Sequence, residues 1–329
     1  MASLHDVAQL AGVSKSTVSR VINDEYGVKK ATRIKVMKAV EEVGYVVNQV
    51  AKDLKSQRTH LVGVIVPRVS SHATAQGVDG LSQVFDAAQK HVLLASCQQN
   101  AQKEIEYIQL FNKKRVEGIV LYATHIDQQL VQAIHQSSAP VILVGQDGSL
   151  FNIPSIIHDD LRVGFEAGNR LLNAGCRQIG FIGVADSDVA VDKMRSEGLQ
   201  QALQMRQAEP LLFHSHGEFT IESGYSQMKQ LLERFPQTDG VFCATDRIAI
   251  GAINALRDAG ITAGKEIKIL GVGNDELSAV CAPSLSTFNY AFDKTGESAA
   301  RVLLELIEGK PQVMSKVVLT FQNIDRETC

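Results

Sequence analysis

The sequence predicts an all-α head, a short helical hinge, and an α/β body of two lobes with parallel sheets. Residues 1–46 carry capped segments with apolar residues at helical spacing, whereas short apolar runs alternate with amphipathic segments from residue 61 onward. The 329 residues have a net charge of −3, which is unevenly distributed: residues 1–60 carry +4 and residues 61–329 carry −7. We therefore expect domains at residues 1–46, 47–60 and 61–329.

The composition is that of a globular protein, with 45% hydrophobic and 21% charged residues. No apolar run approaches the roughly 20 residues of a membrane helix, and the polar residues His5, Asp6 and Gln9 occupy the N-terminus. We expect a cytoplasmic protein without a membrane partner. Its five cysteines are scattered and lack CxxC or paired-histidine spacing, which favours reduced thiols and no metal or cofactor.

The first two segments of the head form a helix-turn-helix pattern. Ser3 can cap a first helix with Asp6 three residues later, and Gly12 suits the left-handed position after its last turn. Ser14 can cap a second helix, from Lys15 to Asn23. A helix, a tight glycine turn and a second helix are typical of DNA-binding heads.

A third helix, predicted from Thr32 to Gly44, closes a three-helix core with Ile34, Val36, Met37, Val40 and Val43. The outer face of the second helix carries hydroxyls, an amide and two cations: Lys15, Ser16, Thr17, Ser19, Arg20 and Asn23. Such side chains read base edges in the major groove and hold phosphates. The cationic head is therefore expected to bind double-stranded DNA.

Three strings in the head are specific enough to compare with known families: residues 4–8 (LHDVA), 11–14 (AGVS) and 17–23 (TVSRVIN). Together with Tyr45 and residues 48–55, they resemble the head of the lactose repressor family of bacterial transcription factors. The resemblance implies operator binding, with contacts from Leu4, Ser14, Lys15, Ser16, Thr17, Ser19, Arg20, Asn23, Tyr26 and Thr32.

Residues 48–55 predict a short hinge helix that begins after Asn48. A helix of about two turns is marginal alone in water, so it needs a partner. In the family that the chain resembles, two such helices pair in the minor groove and insert a leucine between bases. The resemblance implies a homodimer on a pseudo-palindromic operator, with contacts from Asn48, Ala51, Leu54 and Lys55. Two points stay open: Val47 replaces the family's usual proline, and Leu54 could instead contact the body.

Alternating strands and helices predict parallel sheets in the body. The predicted strands span residues 61–67, 91–97, 118–123, 140–145, 179–184, 211–214, 241–245, 267–272 and 316–322. The predicted helices span residues 104–114, 126–137, 163–173, 221–234, 248–259 and 294–307. The late helix and the strand after it indicate a chain that recrosses between two lobes.

The body is similar to the periplasmic sugar-binding fold of the same family, through residues 195–198, 244–252 and 283–287. Parallel sheets bind ligands beyond the carboxyl ends of their strands, so we expect an effector between the lobes. The sequence contains neither a GxSxG elbow nor a GxxxxGK[ST] loop, and no enzyme activity is expected.

Candidate effector-binding residues follow strands or match family positions: Arg68, Ser71, His72, Gln146, Asp147, His158, Arg195, Phe219, Asp246, Asn274 and Tyr290. Arginine, aspartate and asparagine can bridge vicinal hydroxyls, and an aromatic ring can stack on a sugar. Around Asn274 the chain departs from the family's usual Gly-aromatic-Asp-Asp, and Asn274 is preferred to its neighbours. His158, Asp159 and Asp160 cannot all converge on one site, because neighbours on a strand alternate between faces.

Further stretches, at residues 66–71, 116–122 and 273–278, are similar to the sucrose operon repressors of marine bacteria. The resemblance implies a repressor of sucrose uptake and hydrolysis genes that a sugar inducer releases from its operator. Three alternatives stay open: a sugar phosphate as effector, a corepressor-dependent regulator of the purine type, and a cytosolic sugar-binding or sugar-modifying protein. Each polar candidate could also simply cap a helix or face solvent.

Overall fold

The computed structural model describes residues 2–45, 59–311 and 314–329. The chain forms two compact units, Met1–Thr59 and His60–Cys329. The predicted hinge residues Asn48, Ala51, Leu54 and Lys55 lie outside the described residues, so the hinge stays a prediction. None of the described helices combines the length and apolar composition needed to cross a membrane.

The described residues of the head, 2–45, form three helices: α1 (Leu4–Ala11), α2 (Lys15–Ile22) and α3 (Lys30–Glu42). Ser3 and Asp6 make the predicted capping box at the start of α1, since the Ser3 amide donates to Asp6 Oδ2 at 2.8 Å and the Asp6 amide donates to Ser3 Oγ. Gly12 has a φ of +60°, which ends α1 in the left-handed conformation. The Thr17 amide donates to Ser14 Oγ at 3.1 Å, so the predicted cap of α2 is confirmed.

The core of the head differs from the prediction on α3. Val36 and Ala39 are buried, but Ile34 and Met37 are 63% and 51% exposed, so the prediction was wrong for these two residues. At about 100° per residue, Met37 lies 100° and Ile34 200° around the helix from Val36. A three-helix head buries only a narrow stripe of α3, which excludes both side chains.

The described part of the body contains two six-stranded sheets, one in each lobe. The first sheet has the order β11-β5-β4-β3-β1-β2 and consists of β1 (Leu61–Val66), β2 (His91–Ser96), β3 (Gly118–Tyr122), β4 (Val141–Val144), β5 (Ser155–His158) and β11 (Lys316–Leu319). The second has the order β12-β10-β9-β8-β6-β7 and consists of β6 (Ile179–Val184), β7 (Phe213–Gly217), β8 (Gly240–Cys243), β9 (Lys268–Val272), β10 (Ser286–Tyr290) and β12 (Phe321–Ile324). Neighbouring strands run parallel, apart from the antiparallel pair of β10 and β12.

Helices cover both sheets, as predicted for a parallel α/β body. They are α4 (His72–Ala87), α5 (Ala101–Lys113), α6 (Gln128–His135), α7 (Asp160–Asn173), α8 (Arg195–Met205), α9 (Ile221–Arg234), α10 (Asp246–Asp258), α11 (Glu276–Val280) and α12 (Phe292–Ile307). A π-helical segment, Val189–Met194, leads directly into α8.

The chain crosses between the lobes after β5, after β10 and between β11 and β12. The predicted recrossing is therefore confirmed, but the single strand predicted at residues 316–322 is two strands in different sheets. β10 was not predicted because its sequence, STFNY, is rich in polar residues. Its Ser286 and Thr287 are buried through hydrogen bonds with Thr328 and Asp246, which periodicity cannot reveal.

Two glycines bring the first turns of α7 and α8 together. A Cβ at Gly164 would lie 1.9 Å from the Arg195 carbonyl oxygen, and one at Gly198 would lie 1.9 Å from the Leu161 carbonyl oxygen. The close approach that glycine permits places the beginnings of both helices side by side. It thereby sets Arg195 beside Asp160, the first residue of α7.

Candidate functional site

A cavity of about 220 Å³ lies between the two lobes, where the carboxyl ends of both sets of parallel strands meet. This is the expected ligand position in such a fold. Nine of the eleven predicted effector-binding residues line it: Arg68, Ser71, His72, Gln146, His158, Arg195, Phe219, Asp246 and Tyr290.

The other two predicted residues, Asp147 and Asn274, do not line the cavity. Asp147 accepts hydrogen bonds from Lys316 Nζ at 2.6 Å and from the Ser149 amide at 2.9 Å. Asn274 has a φ of +52°, and its Oδ1 accepts from Arg326 Nη2 at 2.7 Å. This left-handed turn leaves the neighbouring Asp275 on the cavity wall instead.

An ion pair between Arg195 and Asp160 is buried in the second-lobe wall. Arg195 Nη2 lies 2.7 Å from Asp160 Oδ1, and the two side chains are 6% and 7% exposed. Tyr290 Oη donates to the same carboxylate oxygen at 2.9 Å, and Arg195 Nη1 donates to the carbonyl oxygen of Ala244. These bonds hold Arg195 in place before any ligand arrives.

Asp160 was missed because His158, Asp159 and Asp160 were taken as one strand. In the structure β5 ends at His158, Asp159 caps α7, and Asp160 is the first helical residue. His158 and Asp160 therefore both line the cavity and Asp159 does not, so the three side chains do not all converge, as predicted. His158 stacks on Tyr290 with ring centroids 4.1 Å apart, and burial lowers its pKa to about 4, so its imidazole is neutral near pH 7.

Two further buried carboxylates of the second lobe face the cavity. Asp246 accepts from the Asp275 amide at 2.7 Å and from the Thr287 hydroxyl. Asp188 accepts from the Val191 amide at 3.2 Å and from Gln146 Nε2 at 3.0 Å, and the second bond joins the two lobes across the cavity. Burial raises the pKa of each carboxyl to about 6.

Several polar atoms of the first-lobe wall lack the hydrogen-bond partners that those of the second lobe have. Among the described residues, three that line the cavity carry a buried side-chain nitrogen or oxygen without a hydrogen-bond partner: Arg68 Nε, His72 Nε2 and Tyr122 Oη. The Arg68 guanidinium lies 4.9 Å from the ring centroid of Phe219, on the opposite lobe. Because an unpartnered buried polar atom is costly, this wall is suited to receive hydroxyl groups.

Several lining residues were not predicted: Gln99, Tyr122, Thr124, Asp160, Asp188, Arg247 and Thr295. Asp188 follows β6 in the way that the predicted candidates follow their strands, so the same rule could have found it. Thr295 belongs to α12, far along the chain, and no local pattern connects it with its partner His158.

The six side chains of α2 that are predicted to read DNA differ in exposure. Lys15, Ser16 and Arg20 are exposed, whereas Thr17, Ser19 and Asn23 are half-buried. The hydroxyls at the start of the helix are linked, with Ser14 Oγ 2.7 Å from Ser16 Oγ and 2.9 Å from Thr17 Oγ1. Two cations and a hydroxyl on this face therefore point away from the core of the head.

Three predicted DNA contacts lie beside α2. Tyr26 is fully exposed on the segment that follows this helix, and Thr32 is half-buried on α3. Leu4 is half-buried as well and packs against the core of the head.

A helix-turn-helix head joined to a two-lobed body with an interlobe cavity defines the class of ligand-responsive DNA-binding regulators. Residues 3–48 match "Bacterial regulatory proteins, lacI family", and residues 169–329 match "Periplasmic binding protein-like domain". The chain is 33% identical to the sucrose operon repressor of Staphylococcus xylosus, over 98% of this chain and 100% of that protein. The chain belongs to the lacI family of bacterial regulatory proteins.

Solved structures agree with this assignment. The Lac repressor dimer bound to operator and the anti-inducer ONPF has a TM-score of 0.91 and 27% identity, covering 99% of this chain and 98% of that one. The complex of the transcriptional regulator CelR with cellobiose has a TM-score of 0.76 and 27% identity, covering 100% of both chains. The predicted fold class is confirmed, and the chain is a transcriptional regulator rather than an enzyme.

Proposed function

We propose that the chain is a homodimeric repressor of a sugar-utilisation operon, with sucrose as the first candidate effector. The head binds a pseudo-palindromic operator, and a sugar between the lobes releases it. The relatives named for a sucrose operon and for a cellobiose complex support this substrate class. Such a protein acts in the cytoplasm, where bacterial operators are.

The observation that carries the sugar proposal is that the cavity wall combines aromatic rings with unpartnered polar atoms. The aromatic rings of Phe219, on the second lobe, and Phe292, on the first, line the cavity, and so do the unpartnered polar atoms of the first lobe. A sugar has both an apolar ring face and a rim of hydroxyls. Each hydroxyl can donate and accept a hydrogen bond, so one ligand could satisfy the unpartnered nitrogens of both Arg68 and His72.

The charges in the wall favour a neutral sugar over a sugar phosphate. Three guanidinium groups line the cavity, from Arg68, Arg195 and Arg247, but so do four carboxyl groups, from Asp160, Asp188, Asp246 and Asp275. Arg195 is already paired with Asp160, and Arg247 Nε lies 3.1 Å from Asp275 Oδ2. A phosphate needs a surplus of positive charge, and these pairs leave only Arg68.

DNA binding is assigned to Lys15, Ser16 and Arg20 on the exposed face of α2, with the neighbouring residues predicted above. The hinge contacts of Leu54 in the minor groove belong to the same proposal. Replacing Arg20 with Ala should cost about 1–3 kcal/mol of operator binding and leave sugar binding unchanged. Fluorescence anisotropy with operator and random DNA measures this, and unchanged operator affinity would contradict the docking of α2.

An operator titration with and without sugars tests the regulatory proposal. Sucrose should weaken operator binding by about 5–150-fold, and by linkage the operator should weaken sucrose binding equally. Fructose and sucrose 6-phosphate form the comparison arms. Tighter operator binding with ligand would identify a corepressor, and no response to any of the three would contradict the choice of sugar.

Matched variants locate the effector. Phe219→Ala removes an aromatic face of the cavity and should abolish the response to sucrose while operator affinity stays the same. Asp147→Asn is the control, because Asp147 lies outside the cavity and should retain the response. Equal responses from both variants would exclude the interlobe cavity as the sugar site.

A further inference from the structure

A second cluster of polar side chains lies on the second lobe, next to the cavity wall. Asp192, His214 and His216 bring one carboxylate and two imidazoles together, with one potential ligand atom from each within 4.8 Å of the others. The Asp192 side chain is 3% exposed, that of His214 is 26% exposed and that of His216 is 49% exposed. The cluster is thus buried at one end and open to solvent at the other.

The backbone builds this cluster. His214 and His216 are two apart on β7, so their side chains leave the same face of an edge strand. Asp192 comes from the π-helical segment that follows β6, the strand paired with β7. Cysteine spacing, on which the prediction of no metal rested, does not reveal this His-Ser-His pattern.

Asp192 is held in one orientation by the adjoining strand. The Val184 amide donates to its Oδ1 at 3.0 Å. Residue 183 is glycine, and a Cβ there would lie 2.0 Å from the same oxygen, so the carboxylate occupies space that any other residue would fill. With Oδ1 fixed in this way, Oδ2 is directed toward both imidazoles.

We propose that Asp192, His214 and His216 form a binding site for a divalent cation of the zinc class. Asp192 Oδ2 is 3.1 Å from His214 Nε2 and 3.4 Å from His216 Nδ1. Ligands about 2.0–2.1 Å from a tetrahedral Zn²⁺ are separated by about 3.3–3.4 Å, so these distances suit one ion. Two imidazoles and a carboxylate favour zinc over the hard ions magnesium and calcium, which prefer oxygen ligands.

The surroundings of His216 support a cation as well. Its Nδ1 lies 3.2 Å from the Val184 carbonyl oxygen and close to Asp192 Oδ2, so two acceptors face one ring nitrogen. The N–H of an Nδ1-protonated tautomer fills this position in the free protein, and a metal ion could take its place. The Val184 oxygen or a water molecule can complete a four-ligand shell.

The position of the site gives the ion a structural effect on the cavity. Asp188, Ala190 and Val191 of the same π-helical turn line the cavity, and Arg195 follows directly. An ion on Asp192 would pin this turn to the edge of the second sheet. The inference does not depend on the proposed function, because it concerns metal binding by the free protein.

Calorimetric titration of the full chain with Zn²⁺ tests the site. The parent protein should bind one ion per chain at micromolar concentration, raise its Tm with the metal, and not respond to Mg²⁺. His214→Gln and His216→Gln should each lose about 100-fold or more in affinity, which is the upper end of the loss caused by removing an outer-shell partner. His91→Gln removes an exposed histidine from the first lobe and should bind zinc as the parent does.

The variants keep the outcome interpretable. His216 is half-exposed, so its replacement should not disturb folding even if that of His214 does, and circular dichroism checks both. A parent that binds no zinc would overturn the proposal and assign the cluster to hydrogen bonds alone. Equal zinc binding by the parent and His216→Gln would overturn it too, and would point to the cysteine thiols.

Discussion

The two lobes share a sheet order but divide the chemistry of the cavity unequally. In the second lobe the charged groups are already satisfied: Arg195 pairs with Asp160, and Asp246 accepts from Thr287 and from the Asp275 amide. In the first lobe three lining atoms, on Arg68, His72 and Tyr122, are buried without a partner among the described residues. The second lobe is therefore preorganised, whereas the first has unmet hydrogen-bonding capacity that a ligand could satisfy.

This difference suggests how a ligand could favour one arrangement of the lobes. A ligand that bonds only to the prearranged lobe gains little from the position of the other one. A ligand that also supplies partners to first-lobe atoms stabilises the arrangement in which both walls meet, since a ligand shifts an equilibrium by its differential affinity. Paired substitutions in the two lobes, first at the arginines and then at the tyrosines, test this difference.

The largest expected difference concerns the two arginines. Arg195→Met leaves Asp160 buried without its cation, so the free energy of unfolding should fall by about 3–5 kcal/mol. Arg68→Met removes a guanidinium that lies over Phe219 and makes no ion pair within the described structure, and should cost less than about 1 kcal/mol. Urea unfolding followed by circular dichroism measures both variants, and equal losses would remove the distinction between the lobes.

A buried carboxyl of the first lobe should make stability depend on pH. Glu104 Oε1 accepts from Thr124 Oγ1 at 3.2 Å, its Oε2 has no partner among the described residues, and burial raises its pKa to about 7. The folded state holds the Glu104 proton more tightly than the unfolded state does. The resulting stabilisation is therefore complete below about pH 4.5 and is lost as the pH rises through 7. Between pH 4.5 and pH 8, ionisation of Glu104 should lower the free energy of unfolding of the parent by about 3 kcal/mol. The Glu104→Gln variant should not show this decrease.

The measurement is urea unfolding at several pH values, with Glu106→Gln as control. Glu106 is exposed on the same helix, so its replacement should leave the pH profile of the parent unchanged. Asp188 and Asp246, with pKa values of about 6, add a dependence of the same sign to all three proteins, which cancels in the comparison. Parallel profiles for Glu104→Gln and the parent would show that Glu104 is not the group responsible.

The sequence predicted best what is decided locally. β6 and α9 were predicted at their observed bounds, because a buried apolar run and a capped amphipathic segment need no distant partner. The caps at Ser3 and Ser14 were predicted for the same reason. The fold class followed from the strand and helix alternation together with the family resemblance.

Contacts between side chains that are distant in the sequence could not be predicted. Position after a strand identified Gln146 and Asp147 equally well, yet only Gln146 lines the cavity, because Lys316 on another strand binds Asp147. The partner of Arg195 was missed since the end of β5 determines where Asp160 points. The unpartnered atoms of the first lobe depend on how two lobes meet, which no local pattern encodes.

The smallest expected difference concerns two tyrosines, one on each lobe. Tyr290 Oη donates to the Asp160 carboxylate at 2.9 Å, so Tyr290→Phe should lower the free energy of unfolding by about 1.5–3 kcal/mol, as for hydrogen bonds to charged groups. Tyr122 Oη is buried without a partner, and Tyr122→Phe should leave stability unchanged or raise it by up to about 1 kcal/mol.

Tyr122 should matter for sucrose affinity, although its hydroxyl does not stabilise the free protein. If a sugar hydroxyl supplies the missing partner of Tyr122, Tyr122→Phe loses a bond that forms only in the complex, and sucrose affinity should fall by about 2–10-fold. Calorimetric titration of the folded variant with sucrose gives this value directly. A stabilised Tyr122→Phe protein that binds sucrose as tightly as the parent would mean that the first-lobe wall stays unsatisfied in the complex, and that the second lobe alone holds the ligand.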